Sequence, residues 1–101
     1  MSNIQTNSHS GVSWFYFPAQ LVRAKEFKIG NSFVVTETKN GVSYVRGSGK
    51  GAVKLQRSGE KGPYYLTIPK KIMKRHGWAK GDFFVLSDIR NGIRFTRGEI
   101  R

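Results

Sequence analysis

The sequence predicts a mainly β protein with short helices, an α+β fold in which two tandem repeats share one core. The first observation is the repeat itself. Residues 11–47 and 62–98 align without a gap at a shift of 51 positions and share nine identical pairs, where composition alone gives about two or three. The second is that short runs of aromatic and β-branched residues alternate with glycine and asparagine turn signals. The third is size, because a half of about 45 residues is too small to bury a core alone.

The 101 residues are therefore expected to form one compact domain. The repeats span 1–47 and 52–98, each in the order ββαββ, and the glycine-rich linker 47–51 joins them. Because this linker is short, the two halves must lie close together. The arrangement predicts an internal pseudo-dimer with approximate two-fold symmetry.

The second repeat carries the clearer signals for individual elements. Its predicted elements are strands 53–57 and 63–68, a helix that begins at Pro69, a turn at Gly81-Asp82, and hairpin strands 83–88 and 93–97 across Arg90-Asn91-Gly92. Proline suits the first helical position, and Gly77 is expected to end the helix in the left-handed conformation. The Asn-Gly pair indicates a hairpin because both residues tolerate positive φ.

The first repeat follows the same order with weaker signals. Its predicted elements are a weak strand 2–6, strand 12–17, helix 18–25, and strands 32–37 and 42–46 around the turn at Asn40-Gly41. Glu26 stands where the second repeat has Gly77, so the first helix must end differently or accept left-handed strain.

Alternation along strand 12–17 divides its aromatic run between two faces. Phe15 and Phe17 are expected in the core. Trp14 and Tyr16 then face outward, as interface residues or as ligand contacts. The same alternation in strand 63–68 places Leu66 and Ile68 in the core and leaves Tyr65 and Thr67 facing outward.

The charge balance suggests an anionic partner. Eighteen Lys and Arg residues against six Asp and Glu give a net charge of +12, which favours a nucleic acid or an anionic membrane surface. No run of about 18 apolar residues occurs, so no transmembrane helix is predicted. The N-terminus lacks the basic and apolar regions of a signal peptide, and cysteine is absent, so an intracellular protein is the default expectation.

The positive charge is unevenly shared between the halves. Residues 1–51 carry +4 and residues 52–101 carry +8. A basic face centred on the second repeat is therefore expected. The candidate nucleic-acid-binding residues are Arg57, Lys61, Lys70, Lys71, Lys74, Arg75 and Arg23.

Two segments carry a family resemblance. The string from Tyr65 to Ile72, YLTIPKKI, followed by Gly77 to Asp82, GWAKGD, resembles the AbrB/SpoVT-type swapped-hairpin family. The resemblance covers 53–97 well and 12–46 more weakly, with Trp14 and Tyr65 at strand positions where the family typically has a basic residue.

The resemblance implies a fold and a partner. Members are usually homodimers whose hairpins interleave into one β-barrel, and most bind DNA, so this chain looks like a fused version with both subunits in one polypeptide. Only residues 99–101 follow the domain, so neither the family's toxin-binding tail nor its second domain is expected. The fusion suggests an archaeal or archaeal-virus source.

The residues and the resemblance together predict a DNA-binding protein, a transcription regulator or a small nucleoid-type protein that contacts double-stranded DNA in the cytoplasm. The alternatives are a protein-interaction scaffold and a module for single-stranded nucleic acid or RNA. The chain is expected to be a monomer with an internal pseudo-dimer or a homodimer of such chains. No paired carboxylates or nucleophile–base arrangement occurs, so no catalytic residue, cofactor or metal site is predicted.

Overall fold

The computed structural model describes residues 2–98, and the short tail at 99–101 lies outside the described residues. Two helices are α1 (Ala19–Ala24) and α2 (Lys70–His76). The strands of the first half are β1 (Ser2–Asn3), β2 (Gln5–Thr6), β3 (Ser13–Phe17), β4 (Ser32–Thr38) and β5 (Gly41–Arg46). Those of the second half are β6 (Val53–Lys54), β7 (Gln56–Arg57), β8 (Tyr64–Ile68), β9 (Phe83–Ile89) and β10 (Gly92–Arg97). The predicted α+β class is confirmed at this level.

The strands form two antiparallel sheets. The larger has the order β1-β9-β10-β5-β4-β6, and the smaller has the order β2-β3-β8-β7. Both sheets stay open among the described residues, so the expectation of one closed β-barrel is wrong for this part of the chain.

The barrel does not close because two of the predicted strands change from one sheet to the other. The predicted strands 2–6 and 53–57 each divide into two-residue strands, one in each sheet, at Ile4 and Leu55. Both residues are fully buried. Their backbone groups bond to turns of the other half: Ile4 N donates to Asp82 O at 3.0 Å, and Leu55 N donates to Asn31 O at 2.9 Å. The ladder is therefore interrupted at each crossover while the buried backbone remains satisfied.

Strands of the two repeats pair directly with each other in the middle of both sheets. In the small sheet, β3 pairs with β8 so that Phe15 faces Leu66. In the large sheet, β5 pairs with β10 so that Ser43 faces Arg94. Each of these pairs joins residues 51 positions apart, which is the spacing of the sequence repeat. The repeats thus share both sheets.

An aromatic cluster fills the space between the sheets. Phe15 and Phe17 are 0% and 2% exposed, which confirms their predicted core positions. Phe15 stacks on Phe95 at 4.1 Å between ring centroids and meets Phe84 edge-on at 4.8 Å. Rings from β3, β9 and β10 therefore hold the two layers together through shared apolar contact.

The two helices end in the same left-handed backbone conformation with different residues. Gly77 follows α2 with φ of 66°, as predicted. Glu26 lies two residues beyond the end of α1 and has φ of 56°, so the first helix accepts left-handed strain. Pro18 and Pro69 precede the helices as their N-caps and are not the first helical residues.

Gly41 and Gly92 are required by close approach between strands. A methyl group added at Gly41 would lie 2.0 Å from Phe95 O, and one added at Gly92 would lie 2.0 Å from Tyr44 O. Asn91 alone of the Asn91-Gly92 pair has positive φ, at 57°. The hairpin prediction is confirmed, but this glycine is needed for β5 to meet β10, and its own φ is not left-handed.

Tyr44 connects the two sheets through a buried hydrogen bond. The residue is fully buried in β5, and its hydroxyl donates to Thr67 O of β8 at 3.0 Å. Burial raises the pKa of the phenol well above its usual range. The folded protein therefore favours the neutral phenol of Tyr44 over the phenolate.

We expect Gly92→Ala to lower the free energy of unfolding by about 1–3 kcal/mol, because the added methyl forces β5 and β10 apart. Gly49→Ala is the matched control, since its methyl would lie 3.9 Å from Val34 Cγ2, and we expect a change within about 0.5 kcal/mol. Urea unfolding followed by circular dichroism measures both. Equal stability of the two variants would contradict the close-approach argument.

The raised pKa of Tyr44 makes stability depend on alkaline pH. Above about pH 10 the phenol ionises in the unfolded chain but stays neutral in the folded one. The unfolded state then binds fewer protons, so stability falls by about 1.4 kcal/mol per pH unit from this group. Tyr44→Phe should be about 1 kcal/mol less stable at pH 8, where a hydrogen bond is lost, and should decline less steeply between pH 10 and 11.5. Parallel declines in urea titrations of the two proteins would refute this assignment.

Candidate nucleic-acid interface

The small sheet determines where the two helices begin. β3 and β8 run antiparallel, with Phe17 opposite Tyr64 at one end and Ser13 opposite Ile68 at the other. Each strand leads directly into a helix, so α1 and α2 begin at opposite ends of this pair. Each helix start also lies beside the hairpin loop of the other repeat, loop 58–63 beside α1 and loop 7–12 beside α2.

The α2 end carries a compact group of exposed lysines. Lys70, Lys71 and Lys74 are exposed, and none of them makes an ion pair with an acid in residues 2–98. Lys70 reaches loop 7–12, because a methyl group added at Gly11 would lie 3.9 Å from its Nζ. These three ammonium groups are therefore available to an anionic ligand.

Arg75, the fourth predicted base of α2, is held by β4. Its guanidinium lies 2.8 Å from Glu37 Oε1. His76 Nε2 lies 2.6 Å from the other carboxylate oxygen of Glu37, outside hydrogen-bond geometry, and the imidazole stacks on Trp78 at 4.3 Å. Glu37 thus partly neutralises Arg75 and leaves the lysines as the dominant charges of the helix.

The α1 end collects the remaining predicted bases. Arg57 donates from Nε to Gly62 O at 2.9 Å and lies 4.9 Å from the ring centroid of Tyr64, so it supports the hairpin. Lys61 is exposed and lines a cleft of about 370 Å³ with Pro18 and Ala19. The fold thereby brings bases of the second hairpin to the start of the first helix.

Arg23 belongs to a second cleft at this end. The cleft has a volume of about 600 Å³ and also contains Lys28, Arg46 and one acid, Glu26. Sequence reasoning missed Lys28 and Arg46, because they lie in different elements of the first repeat and form no cluster along the chain. The arginine of β5 and the lysine after α1 meet only once the sheet is formed.

The seven predicted residues therefore form two groups. Lys70, Lys71, Lys74 and Arg75 lie at the α2 end of the β3–β8 pair, whereas the α1 end holds Arg57, Lys61 and Arg23. Bases of the second repeat occur in both groups because its hairpin and its helix lie at opposite ends of β8. The seven predicted bases are thus divided between the two ends and do not form one face.

An aromatic cleft occupies the outer face of the small sheet between these groups. Its volume is about 500 Å³, and it is lined by Asn7, Ser10, Val12, Trp14, Tyr16, Gln56, Ser58, Tyr65 and Thr67. Trp14 lies 5.9 Å from Tyr65 and 6.3 Å from Tyr16 between ring centroids. The outward orientation expected for Trp14 and Tyr16 is confirmed, and each ring is only partly buried.

Two polar groups of the cleft differ in how they are satisfied. The hydroxyl of Tyr65 hydrogen-bonds Gln56 Oε1 at 3.0 Å. Trp14 Nε1 is buried and has no hydrogen-bond partner among the described residues. Buried indole N–H groups normally find a partner, so nothing in residues 2–98 anchors this ring through its polar edge.

Two of the other acids, Asp82 and Asp88, serve local structure. Asp82 accepts from Ala79 N at 2.9 Å, the turn role expected for it, and its carboxylate lies 3.6 Å from Arg97. Asp88 pairs with Lys25. Among the described residues no group of three His, Asp or Glu side chains could hold a metal ion.

Comparisons with family models, curated proteins and solved structures give no match to this chain. No helix within residues 2–98 is both long enough and apolar enough to cross a bilayer.

Proposed function

We propose that this chain binds double-stranded DNA as a transcription regulator or a small nucleoid-type protein in the cytoplasm. The observation that carries the proposal is the pair of basic groups at opposite ends of the β3–β8 pair. Lys70, Lys71 and Lys74 are exposed at one end, and Lys61 is exposed at the other. Exposed ammonium groups at both ends of one strand pair suit the regularly spaced phosphates of a duplex.

The electrostatics favour a polyanion over a small anion. The net charge is +12, and Glu37, Asp82 and Asp88 already contact Arg75, Arg97 and Lys25. Unpaired lysines therefore dominate the field around the start of α2, and Lys61 is exposed beside the start of α1. Such a field raises the association rate with nucleic acid and gives affinity without base recognition.

The arrangement of contacts supports a fused pseudo-dimer of the AbrB/SpoVT swapped-hairpin type. Hydrogen bonds recur 51 residues apart: Arg46 N donates to Asn91 O, and Arg97 N donates to Asn40 O, both at 2.7 Å. In this proposal two ββαββ repeats are related by an internal pseudo-two-fold axis near the Phe15–Leu66 and Ser43–Arg94 pairs. Each chain is then a monomer with two DNA-contacting ends, or half of a homodimer of such chains.

Salt dependence tests the proposal directly. Fluorescence anisotropy with a random 30-base-pair duplex should show affinity falling by about 10³–10⁵ between 50 and 200 mM salt, as expected when 6–10 phosphates are neutralised. The binding assay contains only this protein and the labelled duplex, with no added ligand or second protein. Weak binding that does not respond to salt would eliminate the DNA-binding proposal.

The two basic ends can be tested by removing single charges. Lys70→Gln and Lys61→Gln should each weaken duplex binding and make the slope of log K against log salt shallower by about one. Lys50→Gln is the matched control, since it removes the same charge from linker 47–51, whose Gly49 lies beside Val34 of the large sheet. All three residues are exposed, so thermal unfolding should be nearly unchanged. A control slope that falls as much as the others would argue for diffuse charge and against two defined ends.

A further inference from the structure

We infer that the aromatic cleft on the small sheet binds unpaired nucleobases, so that the protein prefers DNA with a short unpaired segment over fully paired duplex. This inference rests on the proposed DNA-binding function and assigns a separate role to the surface between the basic ends. The occupant is one or two bases that have left the stack of the DNA held at those ends.

The rings that line the cleft leave their faces unstacked against one another. Trp14 meets Tyr16 at an interplanar angle of 76° and Tyr65 at 52°, so neither contact is a face-to-face stack. A cleft of about 500 Å³ accommodates a flat base against one of these rings. Stacking of a base on an aromatic side chain tolerates any sequence, because every base has a π-face.

The indole N–H of Trp14 adds a hydrogen-bond donor to the aromatic cleft. Trp14 Nε1 has no hydrogen bond within the described residues, so a base edge that reaches it displaces no existing hydrogen bond. Base edges carry acceptors that suit this donor. Gln56, Ser58 and Asn7 also line the cleft and add amide and hydroxyl groups.

Positive charge at both ends of the cleft favours a nucleic acid over an apolar ligand. None of the nine residues that line the cleft is acidic. Lys70 lies beside loop 7–12, which contributes Ser10 and Val12 to the cleft. At the other end, Tyr16 lines both this cleft and the cleft that contains Lys61. A strand that follows the lysines therefore passes over the rings.

A paired duplex uses this surface poorly. Its bases are stacked and present only their edges in the grooves, whereas the rings of Trp14, Tyr16 and Tyr65 need exposed base faces. At the strand positions of Trp14 and Tyr65 an arginine or lysine would serve duplex phosphates better. Opening a few base pairs supplies the missing base faces, and the stacking energy then offsets part of the unpairing.

The test compares two 30-base-pair DNAs that differ only in a central loop of three mismatched pairs. The wild-type protein should bind the looped DNA about tenfold more tightly, near the lower end of base–aromatic stacking. Trp14→Leu should bring the ratio of the two affinities close to one, and Trp14→Phe should retain most of it. Val34→Ala, on the exposed face of the large sheet, is the control variant and should leave the ratio unchanged.

Tryptophan emission gives a second measurement that needs no unfolding control. Trp78 is 7% exposed and packs on Phe84 at 4.9 Å, so it reports the core. The looped DNA should quench wild-type emission more than the paired DNA does, and the Trp14→Phe protein should show no such difference. This measurement decides the question if Trp14→Leu is unfolded.

The outcomes separate the two proposals. Equal affinity of the wild-type protein for both DNAs, or a preference that persists in folded Trp14→Leu, would overturn the base-binding inference and leave duplex binding intact. If neither DNA binds at 50 mM salt, the DNA-binding proposal fails and the inference fails with it.

Discussion

Strand pairing between the two repeats gives the chain its core and arranges its surface. A unit of about 45 residues has too little apolar surface to bury a core of its own. The β3–β8 and β5–β10 pairs remove that problem by joining both repeats into the same two sheets. Phe15 of one half then stacks on Phe95 of the other, and Tyr44 donates across the layers to Thr67. Close approach of β5 and β10 explains why Gly41 and Gly92 carry no side chain.

The same pairing arranges the surface. Because β3 and β8 are antiparallel, each helix starts at the end where the other repeat has its hairpin loop. The loop that contains Lys61 therefore lies at the start of α1, and Lys70 lies beside Gly11. Basic side chains from distant segments converge at two places with an aromatic cleft between them. Side chains alternate strictly between the two faces of β3 and β8. Because the inner residues pack in the core, the rings of Trp14, Tyr16 and Tyr65 face outward.

Local departures from the repeat reveal where tertiary contacts override residue preference. Glu26 adopts a left-handed φ that glycine accepts more readily, since Phe27 directly after it is buried and meets Phe33 edge-on at 5.0 Å. The burial of Phe27 fixes the chain direction at the end of α1. Ile4 and Leu55 interrupt otherwise continuous strands because their side chains lie between the sheets and their backbone groups hydrogen-bond to turns of the other repeat.

Residue patterns alone are enough to predict the α+β class, the order of elements in each repeat, the inward face of β3 and the turn role of Asp82. These properties are set over short stretches of chain by alternation, turn residues and helix termini. They therefore do not depend on how the two repeats pack against each other. The folded structure was needed to find that the strands form two open sheets, that Arg23 joins Lys28 and Arg46, and that the seven predicted bases divide into two groups. Those features depend on which strands of different repeats become neighbours. The repeat predicts that the two halves pack together, but alternation and turn residues do not specify which distant strands pair.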